Sequence, residues 1–312
     1  MAGTVASEGL TLELMRGSAS RRRKERLVRG AFYGSAFLSL VVSVAIVLAL
    51  VGEAIAWLTN IDLGMLWADG WFPRRDEFDI LTLFVGTILI AGIAMLVAAP
   101  LGLGAAMYLS EFATPRTRRL LKPILETLAG IPSVVLGYFA LAVIQPEVVK
   151  SIFGGTGAFS YLSAGIGVGI LTIPLVASIA EDAMFAVPNS LREAAYGIGA
   201  RPRTVAIRVV FPAAVSGIVA SLILGLSRAT GETMVVAIAA GATGGALRTV
   251  NPLDGGQTMT GAISSLAIGS DQVQGSTLAF PSLYFVGLLL FVLTFLLNVV
   301  SERFVRRVRK TY

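Results

Sequence analysis

Residues 191–212 read LREAAYGIGARPRTVAIRVVFP, and they interrupt a chain that is otherwise dominated by long apolar runs. The segments on either side, 162–182 and 212–242, are apolar enough to cross a bilayer. A bilayer core of ~30 Å takes about 20 helical residues, and backbone polar groups in lipid are satisfied only within helices or closed barrels. The runs here are continuous rather than alternating, so the spans are expected to be helical. Working outward from the interruption adds 80–109, 131–149 and 30–52 before it and 281–301 after it. The expected fold is all-α, a polytopic membrane protein with six transmembrane helices.

Charge orients the spans. Seven Lys and Arg precede residue 30, four lie in 110–127, four in 183–211 and five after Ser301. The alternate connections hold only Arg74, Arg75, Lys150 and Arg248, while Arg228 falls within a span. By the positive-inside rule, both termini and the 183–211 loop are cytoplasmic. This placement also accounts for the net charge of +6: the basic residues sit beside span ends facing anionic lipid, so no nucleic-acid partner is expected. The chain has no Cys and no His, which removes disulfides, thiolate nucleophiles and the usual metal ligand or proton shuttle. Arg21-Arg22-Arg23-Lys24 before an apolar run superficially resembles a signal peptide, but the run is long and lacks a small-residue cleavage site, so an uncleaved first span is expected.

Four regions follow: a cytoplasmic tail 1–29, whose first 20 residues read as disordered; a first span with an external connection, 30–79; a core of five spans, 80–302; and a basic tail, 303–312. In the external connection, Trp57, Trp67 and Trp71 read as interfacial anchors. In the segment 109–137, the steps Thr114-Pro115 and Lys122-Pro123 disfavour a continuous helix. A short helix along the inner face is expected there, with the chain returning to the membrane at Ile131-Pro132-Ser133. Gly154-Gly155-Thr156-Gly157 lacks the GK[ST] ending of a phosphate loop and reads as an external turn.

Within the opening stretch, Asn189 and Ser190 are candidate helix caps, with Glu193 in the first turn. Ala194, Ala195, Gly197 and Gly199 are small, and Arg201-Pro202-Arg203 forces a bend before a second, amphipathic piece. Small residues admit close approach of another surface. A docking helix and a plain linker fit this composition equally.

The other costly sequence is Ser227-Arg228-Ala229-Thr230-Gly231-Glu232-Thr233 in the fifth span. A charge at mid-bilayer costs ~2.5–3.5 kcal/mol on insertion scales. Arg228 and Glu232, four apart, are expected on one helical face with hydroxyls from Ser227, Thr230 and Thr233 nearby. Two compatible readings stand: a structural ion pair, or a stepping point where the Arg228 guanidinium presents its fork to an oxyanion. The second is favoured.

The order Glu193-Ala194-Ala195, three residues, Gly199, nine residues, Val209, then Phe211-Pro212 resembles the EAA loop of bacterial ABC importer permeases, with Phe211 where that pattern has leucine. The resemblance implies a MetI-like permease core and makes this loop the coupling helix, with Glu193, Ala194, Ala195, Gly199 and Arg201 docking against a separate ATPase. None of the four lysines is preceded by glycine, so the chain has no nucleotide loop of its own. LSRATGETMVVAIAAG is similar to the phosphate-importer permeases, and Met234 after Gly231-Glu232-Thr233 resembles the PstC type. The stretch 243–280 departs from that type. The resemblance implies a non-enzymatic transport subunit, without cofactor or metal, in the bacterial plasma membrane. Its implied partners are a second permease (PstA-like), an ATPase dimer (PstB-like) and an external phosphate-binding protein (PstS-like). Rival readings are an EAA permease for sulfate, molybdate or phosphonate, an ion-coupled secondary transporter, and a membrane enzyme or sensor.

Overall fold

The computed structural model describes residues 19–241, 245–268 and 278–308. The expectation of disorder for 1–20 lies almost wholly outside them, as do parts of the 243–280 stretch and the end of the basic tail. The chain divides into two compact units, Met1–Gly52 and Glu53–Tyr312. The boundary falls within the first helix, α1 (Ala19–Leu58).

In the second unit, α2 (Ile80–Phe112) begins where Asp79 accepts a hydrogen bond from the Leu81 amide, and it ends in π-helical turns over Tyr108–Phe112. Then α3 (Pro115–Leu128) starts under a Thr114 cap, and it runs continuously through Pro123, so, against expectation, the Lys122-Pro123 step does not interrupt the helix. The chain turns at Ile131-Pro132 into α4 (Ser133–Phe153), and α5 (Tyr161–Phe185) runs back under a Ser160 cap. Two short helices follow, α6 (Asn189–Gly197) and α7 (Pro202–Ala213). The longer α8 (Val215–Thr230), a short helical segment Met234–Val236 that continues as π-helix over Ala237–Gly241, α9 (Met259–Ile268) and α10 (Ser282–Val308) follow.

Among the described residues, five helices are long and apolar enough to span a membrane, and the pair α7–α8 makes a sixth only if its 73° bend is crossed within one span. The continuous fifth span expected over 212–242 is therefore not formed. Its helix runs from Val215 to Thr230, bounded by Ala214 and Gly231, and helical structure resumes only at Met234.

Glycine governs how closely the spans approach. A Cβ at Gly165 would lie 2.6 Å from Ile93, and one at Gly169 would lie 2.8 Å from Val97, so α5 packs backbone-close on α2. Three apolar clusters result. The central one joins Ile90 and Ala94 of α2, Leu136 and Ile144 of α4, Val168 and Leu171 of α5, and Ala229 of α8. At one end, the sheet end, β1 (Gly70–Phe72) pairs antiparallel with both β2 (Glu77–Phe78) and β3 (Ala246–Leu247). This small sheet lies over Leu83, Met259, Leu266 and Val286.

The tryptophans there correct the expectation of three interfacial anchors. Trp57 and Trp71 are buried, each edge-on to Phe78, and Trp57 Nε1 donates to Leu278 O at 2.9 Å. Only Trp67 is exposed. Two rings of this size, one with its N–H satisfied, build the core of the sheet end. The third cluster, at the loop end, joins Ala106, Ala180, Met184, Val187, Ala195, Val205, Val210 and Ile218.

Candidate functional site: a helix break and an exposed loop helix

At the loop end, α6 begins at Asn189, with Pro188 in the cap position and no side-chain cap. The expected capping by Asn189 and Ser190 is not formed, and Glu193 falls in the second turn. Asn189 Oδ1 instead accepts from Arg192 Nη1 at 3.3 Å. The other end of α6 explains the spacing of its motif. Gly199 sits at φ +82°, its amide donates to Tyr196 O at 2.9 Å, and the Ala200 amide donates to Ala195 O at 3.1 Å. That is a Schellman cap, which needs a left-handed residue four positions after Ala195. A glycine supplies it without steric cost.

The cap also sorts the motif by face. Glu193, Ala194, Gly197, Ile198, Gly199 and Arg201 are exposed, while Ala195 is buried in the loop-end cluster and seats the helix.

Two charge clusters that sequence reasoning did not single out brace this end. Glu181 of α5 is fully buried and ion-paired with Arg118 and with Lys122 of α3, and Lys122 also pairs with Asp182. Burial alone would lower the Lys122 pKa, but its hydrogen bonds to Asp182 and Glu181 outweigh that and raise it. The contribution of the ammonium to holding α3 on α5 is fully present below its ordinary pKa and is lost as pH rises through the raised value. The second cluster is Arg192 with Glu111 at the end of α2, Nη2 to Oε1 at 2.9 Å. The spacing of Arg118 and Lys122, four apart on α3, was a usable signal for the first cluster. Nothing local marks the second, whose members are 81 residues apart.

The other candidate region lies beside the central cluster, where Ala229 packs with Ala94 and Leu171. Arg228 is exposed on the last turn of α8, with no ion pair or hydrogen-bond partner among the described residues. Ser227 donates to Asn298 Oδ1 at 3.3 Å, and Thr230 donates to the backbone at Leu226.

The expectation that Arg228 and Glu232 share a helical face fails, because the helix ends between them. Glu232 instead folds over the break, and its Oε1 accepts from the Met234 amide at 3.2 Å and the Val235 amide at 3.4 Å. Irregular backbone at membrane depth must find such partners. The rest of the break is tied the same way: Thr260 Oγ1 donates to Glu232 O at 2.8 Å, and the Met259 amide donates to Thr87 Oγ1 at 3.0 Å. Thr233 makes only a 3.4 Å contact to Gly231 O. The structure thus gathers Ser227, Arg228, Glu232 and Thr233 at one discontinuity. It leaves Arg228 as an exposed guanidinium while one oxygen of the Glu232 carboxylate accepts from two amides.

Residues 98–310 match the family described as binding-protein-dependent transport system inner membrane component. The phosphate transport system permease protein PstC of Mesorhizobium japonicum is 33% identical over 292 residues, 88% of this chain and 88% of its own length. The protein of the same name from Pasteurella multocida is 32% identical over 264 residues, 78% of this chain and 80% of its own. Among solved structures, the MetNI methionine ABC transporter in inward-facing form superposes with a TM-score of 0.55 at 20% identity, over 80% of this chain and 100% of that one. A bacterial ABC transporter involved in import of the acidic polysaccharide alginate gives 0.62 at 14% identity, over 93% of this chain and 100% of that one. At such identities the structural likeness is one of fold.

Proposed function

The chain belongs to the family of inner membrane components of binding-protein-dependent transport systems, and from that premise we propose that it is the permease subunit of an ATP-driven importer that carries inorganic phosphate inward. The observation that carries this reading is the identity of about a third, over most of both chains, to permeases named for phosphate transport. The subunit performs no covalent chemistry, and ATP is hydrolysed by a separate partner. Inward movement of an anion against a negative-inside potential costs ~2.3 kcal/mol per charge per 100 mV, so accumulation needs that energy source.

Arg228 is the stepping point. Its exposed fork can donate two parallel hydrogen bonds to a tetrahedral oxyanion, and Ser227 and Thr233 lie beside it as further polar groups. Glu232 shapes the site by ending one helix and capping the next turn, and the amides on its carboxylate reduce its repulsion of the passing anion. Release requires that binding be weak, which suits a single guanidinium.

At the loop end, the exposed residues Glu193, Ala194, Gly199 and Arg201 form the surface that docks on the ATPase, with Ala195 holding the helix in place. This end faces the cytoplasm, as do both termini. The complete importer comprises this chain, a second permease of the PstA type, a PstB-like ATPase dimer and a PstS-like phosphate-binding protein.

The test is uptake of labelled phosphate by proteoliposomes holding the complete complex, with and without ATP, against excess unlabelled sulfate, molybdate or phosphonate. ATP-dependent uptake blocked only by phosphate is expected. Uptake blocked by sulfate or molybdate instead would reassign the substrate, and uptake without ATP would overturn the class.

A further inference from the structure

Arg192 lies next to the exposed Glu193 but points the other way, into the protein. Its guanidinium has five N–H donors, and five acceptors meet them. Nε donates to Glu111 Oε2 at 3.3 Å, and Nη2 donates to Glu111 Oε1 at 2.9 Å and to Met184 O at 2.8 Å. Nη1 donates to Val187 O at 2.5 Å and to Asn189 Oδ1 at 3.3 Å. The side chains of Arg192 and Glu111 are 14% and 6% exposed, so the pair is shielded from the screening that makes surface ion pairs weak.

The acceptors belong to three different elements. Glu111 is in the π-helical end of α2, further held by Ser110 Oγ at 2.8 Å. Met184 O lies in the last turn of α5 and Val187 O just beyond it, at the helix end that favours a cation. Asn189 opens α6 itself. A single side chain therefore fastens the coupling helix to the ends of two spans.

The covalent route from α6 towards Arg228 is softer. It passes the Gly199 turn, the Arg201-Pro202 step and the 73° bend between α7 and α8. A push on α6 can be absorbed along that route by changes in backbone angle. The Arg192 fork offers no comparable slack, because all its donors are used and its plane is fixed by bidentate pairing.

We propose that Arg192 is the positioning residue through which movement of the coupling helix reaches the membrane, and that it makes α6 move as one body with the ends of α2 and α5. This rests on the permease reading above, and extends it by assigning the link to a side chain outside the Glu193–Gly199 motif. Lysine cannot replace arginine here, since an ammonium has three donors and no fork.

The chain has no cysteine, so two labels can be placed on it cleanly once the partner subunits are also made cysteine-free. Spin labels at Ser190→Cys on α6 and Phe112→Cys at the end of α2, both exposed positions, would be followed by pulsed EPR in the complete complex, with and without ATP. The expected result is one interlabel distance in both states with Arg192 present. In Arg192→Lys and Arg192→Gln the distance should change on ATP binding.

In the unlabelled complex, Arg192→Lys should assemble and hydrolyse ATP, yet import roughly tenfold less substrate per ATP, the scale of a coupling free energy between two sites. Glu111→Gln should give a smaller loss. An ATP-dependent distance change already present with Arg192, or an unchanged import-to-hydrolysis ratio in Arg192→Lys, would overturn the proposal. So would a loss that only tracks the amount of assembled complex. The EPR arm needs no transported substrate, so failure of the phosphate assignment, seen as absent phosphate uptake with Arg192 intact, is separable from failure of the link.

Discussion

The loop end and the break around Arg228 are both interruptions of the apolar pattern, and the protein treats their charges in opposite ways. At the loop end, Arg192, Glu111, Glu181, Arg118 and Lys122 are all paired, α3 to α5 and α6 to α2. At the break, Glu232 is committed to backbone amides and Arg228 is left exposed without a partner among the described residues. A charge whose donors are saturated transmits position, because nothing near it can rearrange without loss. A charge with open donors can take a ligand. The two interruptions therefore match the two tasks proposed above, coupling at the loop end and anion passage at the break.

The largest effect that could break this comparison is at Ala195. As a seat in the loop-end cluster, it should tolerate no charge, and Ala195→Asp should destabilise the protein by about 3–5 kcal/mol, the cost of an uncompensated buried ion. Thermal unfolding of the purified subunit would show it. Unchanged stability combined with lost ATPase stimulation would move Ala195 to the docking surface instead.

Next, Arg228→Gln should lower phosphate uptake roughly 10–100-fold, matching loss of a charged hydrogen bond worth about 1.5–3 kcal/mol. Assembly and the response of the loop end to ATP should be kept. Native uptake in this variant would leave Arg228 with no transport role.

Smaller changes sharpen the contrast. Gly199→Ala should cost about 1 kcal/mol through strain at φ +82°, read as a lowered midpoint of unfolding. An exposed change at Ala194 should leave that midpoint alone while weakening ATPase affinity. The smallest effect is expected for Glu232→Gln, whose amide oxygen can still accept from Met234 and Val235. Uptake should stay near the native level, whereas Glu232→Ala removes the cap and should cost ~1 kcal/mol. A large loss in Glu232→Gln would show that the negative charge itself acts on the anion.

Much of the fold was legible because spans announce themselves locally. Runs of apolar residues, the Thr114-Pro115 and Ile131-Pro132 steps and the basic segment between them place α2, α3 and α4 closely. The break in the fifth span was harder to read. Residues 212–242 are apolar enough to suggest one helix, and Gly231 alone does not stop a helix. The stop is made by tertiary partners, since Thr260 and the Glu232 cap satisfy backbone groups that a continuous helix would satisfy within itself. The tryptophans were misread for a related reason. Trp57 and Trp71 look like interfacial residues by composition, and only the pairing of β1 with β2 and β3 closes a core around them.

The sequence by itself determined the membrane class, the spans apart from the fifth, the Glu193–Gly199 motif with its family resemblance, and the presence of a charged element in the fifth span. These are properties of periodicity and spacing, which a helix expresses within a few turns. Only the tertiary structure decided which charges are spent and which remain available. Arg192 meets Glu111 across 81 residues, and Thr87 meets Met259 across 172. No local pattern encodes such pairs, because they depend on how closely α2, α5 and α8 pack and where each helix ends.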